Sequence, residues 1–234
     1  MSLVSFGQSA GRLLGVSIYD ADPDWELSGP TQSGDLTHTV VNVAENDPGS
    51  WLIFNHSRSL WGTLLRAGDT PYNDCLPPSE ALFLDVFQDS DDVGELISTL
   101  DGRSEDQFLN PFYAVIGDLS EDSLFWFHGS FQSNHGQFDD SSHVLLDGAP
   151  SKSGANLPDQ LNINESTELK DLKESLSGGL PNEPLEKHLA RDGMRETQCA
   201  TLFHWTSDRL VLEHSTEFPP GSDWRTESVK SPAA

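Results

Sequence analysis

Short bursts of apolar residues recur from the first residues of the chain. Leu3, Val4 and Phe6, then Leu13, Leu14, Val16 and Ile18, flank a Gly/Ser turn and predict an N-terminal hairpin over 3–6 and 12–18. Residues 20–35 set Pro23, Gly29, Pro30 and Gly34 among acids, which predicts a loop, and 37–43 reads as a strand. A second hairpin is expected from 50–54 and 60–66, which carry Trp51, Ile53, Trp61 and Leu65 around the turn Asn55-His56-Ser57-Arg58.

The period then lengthens. Pro77-Pro78-Ser79-Glu80 offers a cap and an acidic first turn to a helix over 79–88. Asp91 or Asp92 caps a second helix bearing Val93, Leu96, Ile97 and Leu100, with Gly102 as its expected stop. Residues 112–117 and 124–128 read as central strands about the turn Leu119-Ser120-Glu121-Asp122. Gly, Ser, Asn, Asp and Pro dominate 129–162, so loops with one short strand at Val144-Leu145-Leu146 are predicted. Two short helices are expected over 165–176 and 182–190, and two strands over 199–205 and 209–215; the tail from Pro219 is expected to be ordered as far as Trp224. This succession is neither a βαβ alternation nor an all-β chain. It predicts an α+β layered sandwich, as one domain over 1–218 followed by a partly ordered C-terminal tail over 219–234.

Composition narrows the function. Lys and Arg number 13 against 38 Asp and Glu in 234 residues, a formal charge of −25, so no surface is basic enough to neutralise a nucleic-acid backbone. The same field repels anionic membranes. Hydrophobic residues are 35 % of the chain, below the ordinary globular share, yet six Trp and twelve Phe sit within the strand patterns, which argues for a folded core. The first residues lack a basic stretch and a long apolar run, and no later segment is long enough to span a bilayer; a soluble, cytoplasmic protein is expected. Cys75 and Cys199 form neither a disulfide framework nor a zinc or redox pattern. Asp89, Asp91, Asp92 and Gly94 lack the spacing and terminal Glu of a calcium loop, and no metal site is expected. The dispersed carboxylates suit a surface that stays hydrated in brine.

Several blocks resemble, in order, those of the NRDE family, also called the transport and Golgi organisation protein 2 family. Gly49-Ser50-Trp51-Leu52 resembles its Gly-Thr-Trp-Leu strand, and residues 80–87 fall where the family has its Arg-Gly-x-Leu-Val-x-x-Phe-Leu helix. Asn110-Pro111-Phe112-Tyr113-Ala114-Val115-Ile116-Gly117-Asp118-Leu119 is similar to its Tyr-Asn-Gly-Phe-Asn-Leu-x-x-x-Asp-Leu block. Thr197-Gln198-Cys199-Ala200-Thr201-Leu202-Phe203 and Val211-Leu212-Glu213-His214-Ser215 resemble its closing strands. The resemblance implies a four-layer αββα sandwich like that of the N-terminal nucleophile hydrolases, in which the residue exposed by Met removal attacks an amide carbonyl.

Here that residue is Ser2, small enough for Met1 to be removed, and its α-amine, with a reference pKa of about 8, could serve as its base. The family's other polar groups are altered. Its Asn-Arg-Asp-Glu signature falls on Ser17-Ile18-Tyr19-Asp20-Ala21-Asp22, its Thr-Asn on Leu64-Leu65, its Ser-Asn near Ser142-His143, and its Thr-Arg on Thr197-Gln198. The main expectation is therefore a non-catalytic binding or trafficking protein for an apolar cofactor or lipid-like ligand, haem or acyl-coenzyme A. Candidate contacts are Asn110, His143 and Trp51, and His128 and His135 with Phe125, Trp126, Phe127 and Phe131 complete a frame for a flat ligand. The alternative is an amidohydrolase using Ser2, which a Ser2→Ala change discriminates. A third reading is an interaction domain in which Trp51, Trp61 and Trp126 are core.

Overall fold

Strands β1 (Leu3–Ser9) and β2 (Arg12–Asp20) are apolar on both faces because both faces are covered. Val4, Phe6, Leu13 and Tyr19 join one buried cluster, whereas Leu3, Leu14, Val16 and Ile18 join another on the opposite side. The computed structural model describes residues 3–9, 11–20, 25–44, 47–66, 73, 75–106, 108–130, 132–138, 142–146, 149–150, 163–177, 197–216 and 223–230.

Within these residues the remaining strands are β3 (Glu26–Ser33), β4 (Leu36–Ala44), β5 (Asp47–Gly49), β6 (Leu52–Asn55), β7 (Leu60–Arg66), β8 (Phe112–Asp118), β9 (Ser123–Gly129), β10 (Asn134–Gln137), β11 (Ser142–Leu146), β12 (Ala149–Pro150), β13 (Thr197–Thr206), β14 (Arg209–Ser215) and β15 (Arg225–Lys230). They form two antiparallel sheets. The first runs β12-β11-β1-β2-β13-β14-β15, and the second runs β10-β9-β8-β7-β6-β4-β3 with β5 paired to β4. Helices α1 (Ser79–Asp89) and α2 (Val93–Asp106) pack on the second sheet, and α3 (Leu169–Ser177) packs on β2 and β13 of the first. The chain is thus α+β, mostly antiparallel sheet with few helices. No helix among the described residues is long and apolar enough to cross a membrane.

The apolar runs became strands as expected, but polar strands escaped the pattern. Residues 26–33, expected to be loop, form β3, an edge strand whose side chains are largely exposed and whose register shifts between Ser28 and Thr31 to absorb Gly29 and Pro30. An edge tolerates a proline because its missing N–H need not join a ladder. In the same way β10 and β12 join β11 in the segment expected to hold one strand, and β15 extends order past Trp224 to Lys230. All three are held mainly by backbone pairing, which leaves little trace in side-chain periodicity.

The helix ends also differ. Gly102 lies inside α2, where a glycine costs about 1 kcal/mol relative to alanine but is carried by burial of Leu96, Ile97 and Leu100. α1 starts after Pro78, whose side chain has no acceptor to cap it, and Ser79, the first helical residue, donates to the Glu80 carboxylate at 3.3 Å. Asp92 does cap α2, accepting from the Glu95 N–H at 2.9 Å, while the Glu95 carboxylate accepts from the Asp91 N–H at 2.7 Å. Asp89 and Asp91 are ion-paired to Arg103 and Arg58. The helix expected over 182–190 lies outside the described residues.

Candidate functional site

Hydrogen bonds between the sheets fix how they face each other. Trp61 Nε1 on β7 donates to Gln8 Oε1 at the far end of β1, at 2.7 Å, and the Gln8 amide donates to the Asp118 carbonyl at 3.1 Å. The close approach of Trp61 requires a glycine opposite, since a Cβ on Gly117 would collide with the indole nitrogen. Nearer the start of β1, Ser17 Oγ on β2 meets Thr63 Oγ1 on β7 at 3.3 Å. Val4 is the register partner of Ser17, so the chain enters β1 at the Ser17–Thr63 level of the inter-sheet layer.

That end is the more polar one. The Tyr19 hydroxyl donates to Glu80 Oε1, and Arg66 Nε at the end of β7 donates to the same oxygen at 3.5 Å. Glu80 and Arg66 are a buried ion pair, with side chains 0 % and 7 % exposed. Burial and the Glu80 charge hold the Tyr19 phenol well above its ordinary pKa, with Arg66 opposing, so the phenol keeps its proton and acts as a donor. The Arg66 guanidinium lies over the Trp25 ring at 4.3 Å, and Tyr19 stacks on Trp51 with centroids 4.7 Å apart. Gly49 lets β5 approach α1 here, where a Cβ would strike Glu80.

Beyond Trp51, the His214 ring on β14 shares a 2.9 Å hydrogen bond between Nδ1 and the Thr201 hydroxyl of β13. Burial, with a lesser push from Arg225, lowers the His214 pKa to about 4, so the imidazole is neutral. His214 Nε2 and Trp51 Nε1 are buried with no hydrogen-bond partner among the described residues, their rings 6.4 Å apart.

Of the expected site residues, Asn110 and Trp51 have side chains among those described. Ser2 lies outside the described residues; its neighbour Leu3 pairs with Ile18 on one side and Leu146 on the other. Asn110 precedes β8, where its Oδ1 accepts from the Asn73 N–H at 2.8 Å and its Nδ2 donates to the Asn73 carbonyl at 3.1 Å, so both ends of the amide hold a loop. Trp51 is wholly buried. The backbone of His143 pairs with Phe6, and its side chain lies outside the described residues. His128 and His135 face opposite sides of the β9–β10 ladder, because they occupy consecutive rungs, opposite Asn134 and Phe127. Phe131 is outside the described residues.

Missed from the sequence was the cluster of Tyr19, Glu80 and Arg66. An acid in a first helical turn reads as a partner for the helix dipole, and only the flanking apolar residues Ala81 and Leu82 hint that Glu80 is inside. Among the described residues no three His, Cys, Asp or Glu side chains gather as metal ligands. A recess of about 180 Å³ beside Arg12, Leu14 and Ile163 lies at the other end of β1; there Arg12 donates to the Glu165 carbonyl at 2.8 Å, a loop anchor.

No protein-family model and no curated protein matches the chain. Among solved structures it is similar to the Caenorhabditis elegans ortholog of N-acylethanolamine-hydrolyzing acid amidase, with a TM-score of 0.53 and 12 % identity over 86 % of this chain and 92 % of that one. At that identity the likeness is one of fold alone.

Proposed function

We propose that this chain is a divergent NRDE-like protein with the αββα layering of the N-terminal nucleophile hydrolases, and that it hydrolyses an amide through Ser2. The observation that carries the reading is the coincidence of a fold similar to an amidase with a polar inter-sheet layer at the end where β1 begins. This favours the amidohydrolase over the carrier of haem or acyl-coenzyme A expected from the loss of family polar groups, because no observation in the described residues supports either ligand.

In this mechanism Met1 is removed and the Ser2 α-amine takes the proton of its own hydroxyl as the oxygen attacks the amide carbonyl. The tetrahedral oxyanion is met by hydrogen-bond donors of the inter-sheet layer; of the Ser17 and Thr63 hydroxyls one donates to the other, and the acceptor's own proton remains for the substrate. Collapse breaks the C–N bond, the leaving amine takes the proton from the α-ammonium, and an acyl ester of Ser2 forms. Water, deprotonated by the same amine, then attacks the ester; the acyl–Oγ bond breaks, Oγ takes the proton back from the α-ammonium, and the carboxylic acid leaves. The Arg66–Glu80–Tyr19 cluster acts as a positioning group that keeps this end of the sheets rigid.

The experiment is hydrolysis of a panel of N-acyl amides, N-acylethanolamines included, by protein whose intact mass verifies an N-terminal Ser2. Turnover abolished in a folded Ser2→Ala variant supports the reading. Turnover surviving that change overturns the nucleophile. Absence of wild-type turnover across the panel, with saturable haemin or acyl-coenzyme A binding, would replace the hydrolase with the carrier.

A further inference from the structure

The inner faces of the two sheets are not covered evenly. Gly117 faces the first sheet, where it meets Trp61 and Gln8, so by alternation along β8 Val115 and Tyr113 face it too. Their partners on β9 follow: Leu124 stands opposite Gly117, Trp126 opposite Val115, and His128 opposite Tyr113. Val115 and Leu124 are buried, as a closed sandwich requires, but Tyr113, Trp126 and His128 are only half-buried. These three rings are therefore the partly exposed part of this face, toward the corner where β8 starts and β9 ends. Leu65 on β7 pairs with Tyr113, two residues beyond the Thr63 that meets Ser17, which puts this corner at the same end of the sheets as the start of β1.

The two rings at the corner are parallel. Tyr113 and His128 stack with centroids 4.4 Å apart and planes 18° from each other, and Trp126 stands on the same face. Burial lowers the His128 pKa, so the imidazole is uncharged at neutral pH. Arg66, the buried arginine among the described residues, is paired with Glu80, and the overall charge of −25 repels an anion.

We infer that the stacked Tyr113–His128 pair is the wall that receives the acyl group of the amide substrate, and that the group it selects is planar and uncharged, an aryl-acyl amide in preference to an acetyl or carboxylate-bearing one. This inference rests on the amide-hydrolase reading for the place of the carbonyl, but the wall itself is a property of β8 and β9. Flat groups add to the stack by offset contact, which gives a preference that a compact acetyl group cannot share.

The test compares kcat/KM for an arylacetyl amide and the matching acetyl amide on wild type, Tyr113→Leu, Tyr113→Phe and His128→Leu. Tyr113→Leu and His128→Leu are expected to lower the aryl-to-acetyl ratio by about fivefold or more, and Tyr113→Phe, which keeps the ring, is expected to retain the preference. An unchanged ratio in Tyr113→Leu, or an equal fall for both substrates, overturns the inference. If wild type hydrolyses neither amide, the hydrolase reading fails separately. Titration with the arylacetyl amide then decides: fluorescence quenching that is lost in Trp126→Phe and weakened in Tyr113→Leu supports the wall, and binding indifferent to these changes removes it.

Discussion

Tyr19 on β2 and Glu80 in the first turn of α1, 61 residues apart in sequence, are joined by a hydrogen bond inside the protein, and Arg66 closes the group as an ion pair. Each sheet supplies one member and the helix supplies the third. The bond ties the first sheet to the helical layer of the second through the polar end of the core.

That relationship makes the two partners unequal under substitution. Tyr19→Phe removes one charge-assisted bond and is expected to cost about 1.5–3 kcal/mol. Glu80→Gln leaves the buried Arg66 facing a neutral amide and is expected to cost more, about 3–5 kcal/mol. Urea denaturation of both variants ranks them, and a Glu80→Gln protein as stable as wild type would refute the buried ion pair.

Two glycines should respond in opposite directions to the same methyl group. Gly117→Ala drives a Cβ into Trp61 and disturbs its bond to Gln8, for an expected loss of about 1–3 kcal/mol or more. Gly102→Ala meets nothing within 4 Å in the interior of α2 and is expected to add about 0.5–1 kcal/mol. Thermal melts of the pair check both signs at once.

His214 makes stability depend on pH. Its folded pKa of about 4 lies below the ordinary value of 6.5, so the unfolded chain binds the extra proton between those values. The contribution is complete above pH 6.5 and is lost as pH falls toward 4, on the order of 3 kcal/mol in all. His38, His56, His128 and His204 are lowered too, chiefly by burial, and act in the same direction. Denaturation midpoints from pH 7.5 to 4.5 should fall more gently in His214→Phe than in wild type; parallel curves would contradict the neutral buried imidazole.

Asp92→Ala removes the cap of α2 and is expected to cost about 1 kcal/mol, whereas Asp89→Ala, which touches only a half-exposed arginine, should be close to neutral. Chemical denaturation distinguishes a cap from a charge effect by repeating both at high salt, where the Asp92 loss should persist.

The elements legible in the sequence were those with a local signal. Leu13 to Ile18, residues 60–66 and residues 112–117 carry dense apolar runs because both faces of each strand are buried, and Leu96, Ile97 and Leu100 repeat at helical spacing because one face of α2 is. What tertiary structure alone decided was which polar residues lie inside. Glu80 and Arg66 look like surface charges in sequence, yet the fold brings them together with Tyr19, and Asn110, a candidate ligand contact, hydrogen-bonds to the backbone of Asn73. The polar strands β3, β10 and β15 likewise exist because a neighbouring strand offers backbone partners, and Tyr113 and His128 stack because β8 and β9 place them opposite each other. Periodicity reports how one segment meets solvent and core; pairing, ion-pair burial and cross-strand stacking depend on other segments of the chain, and no local pattern records them.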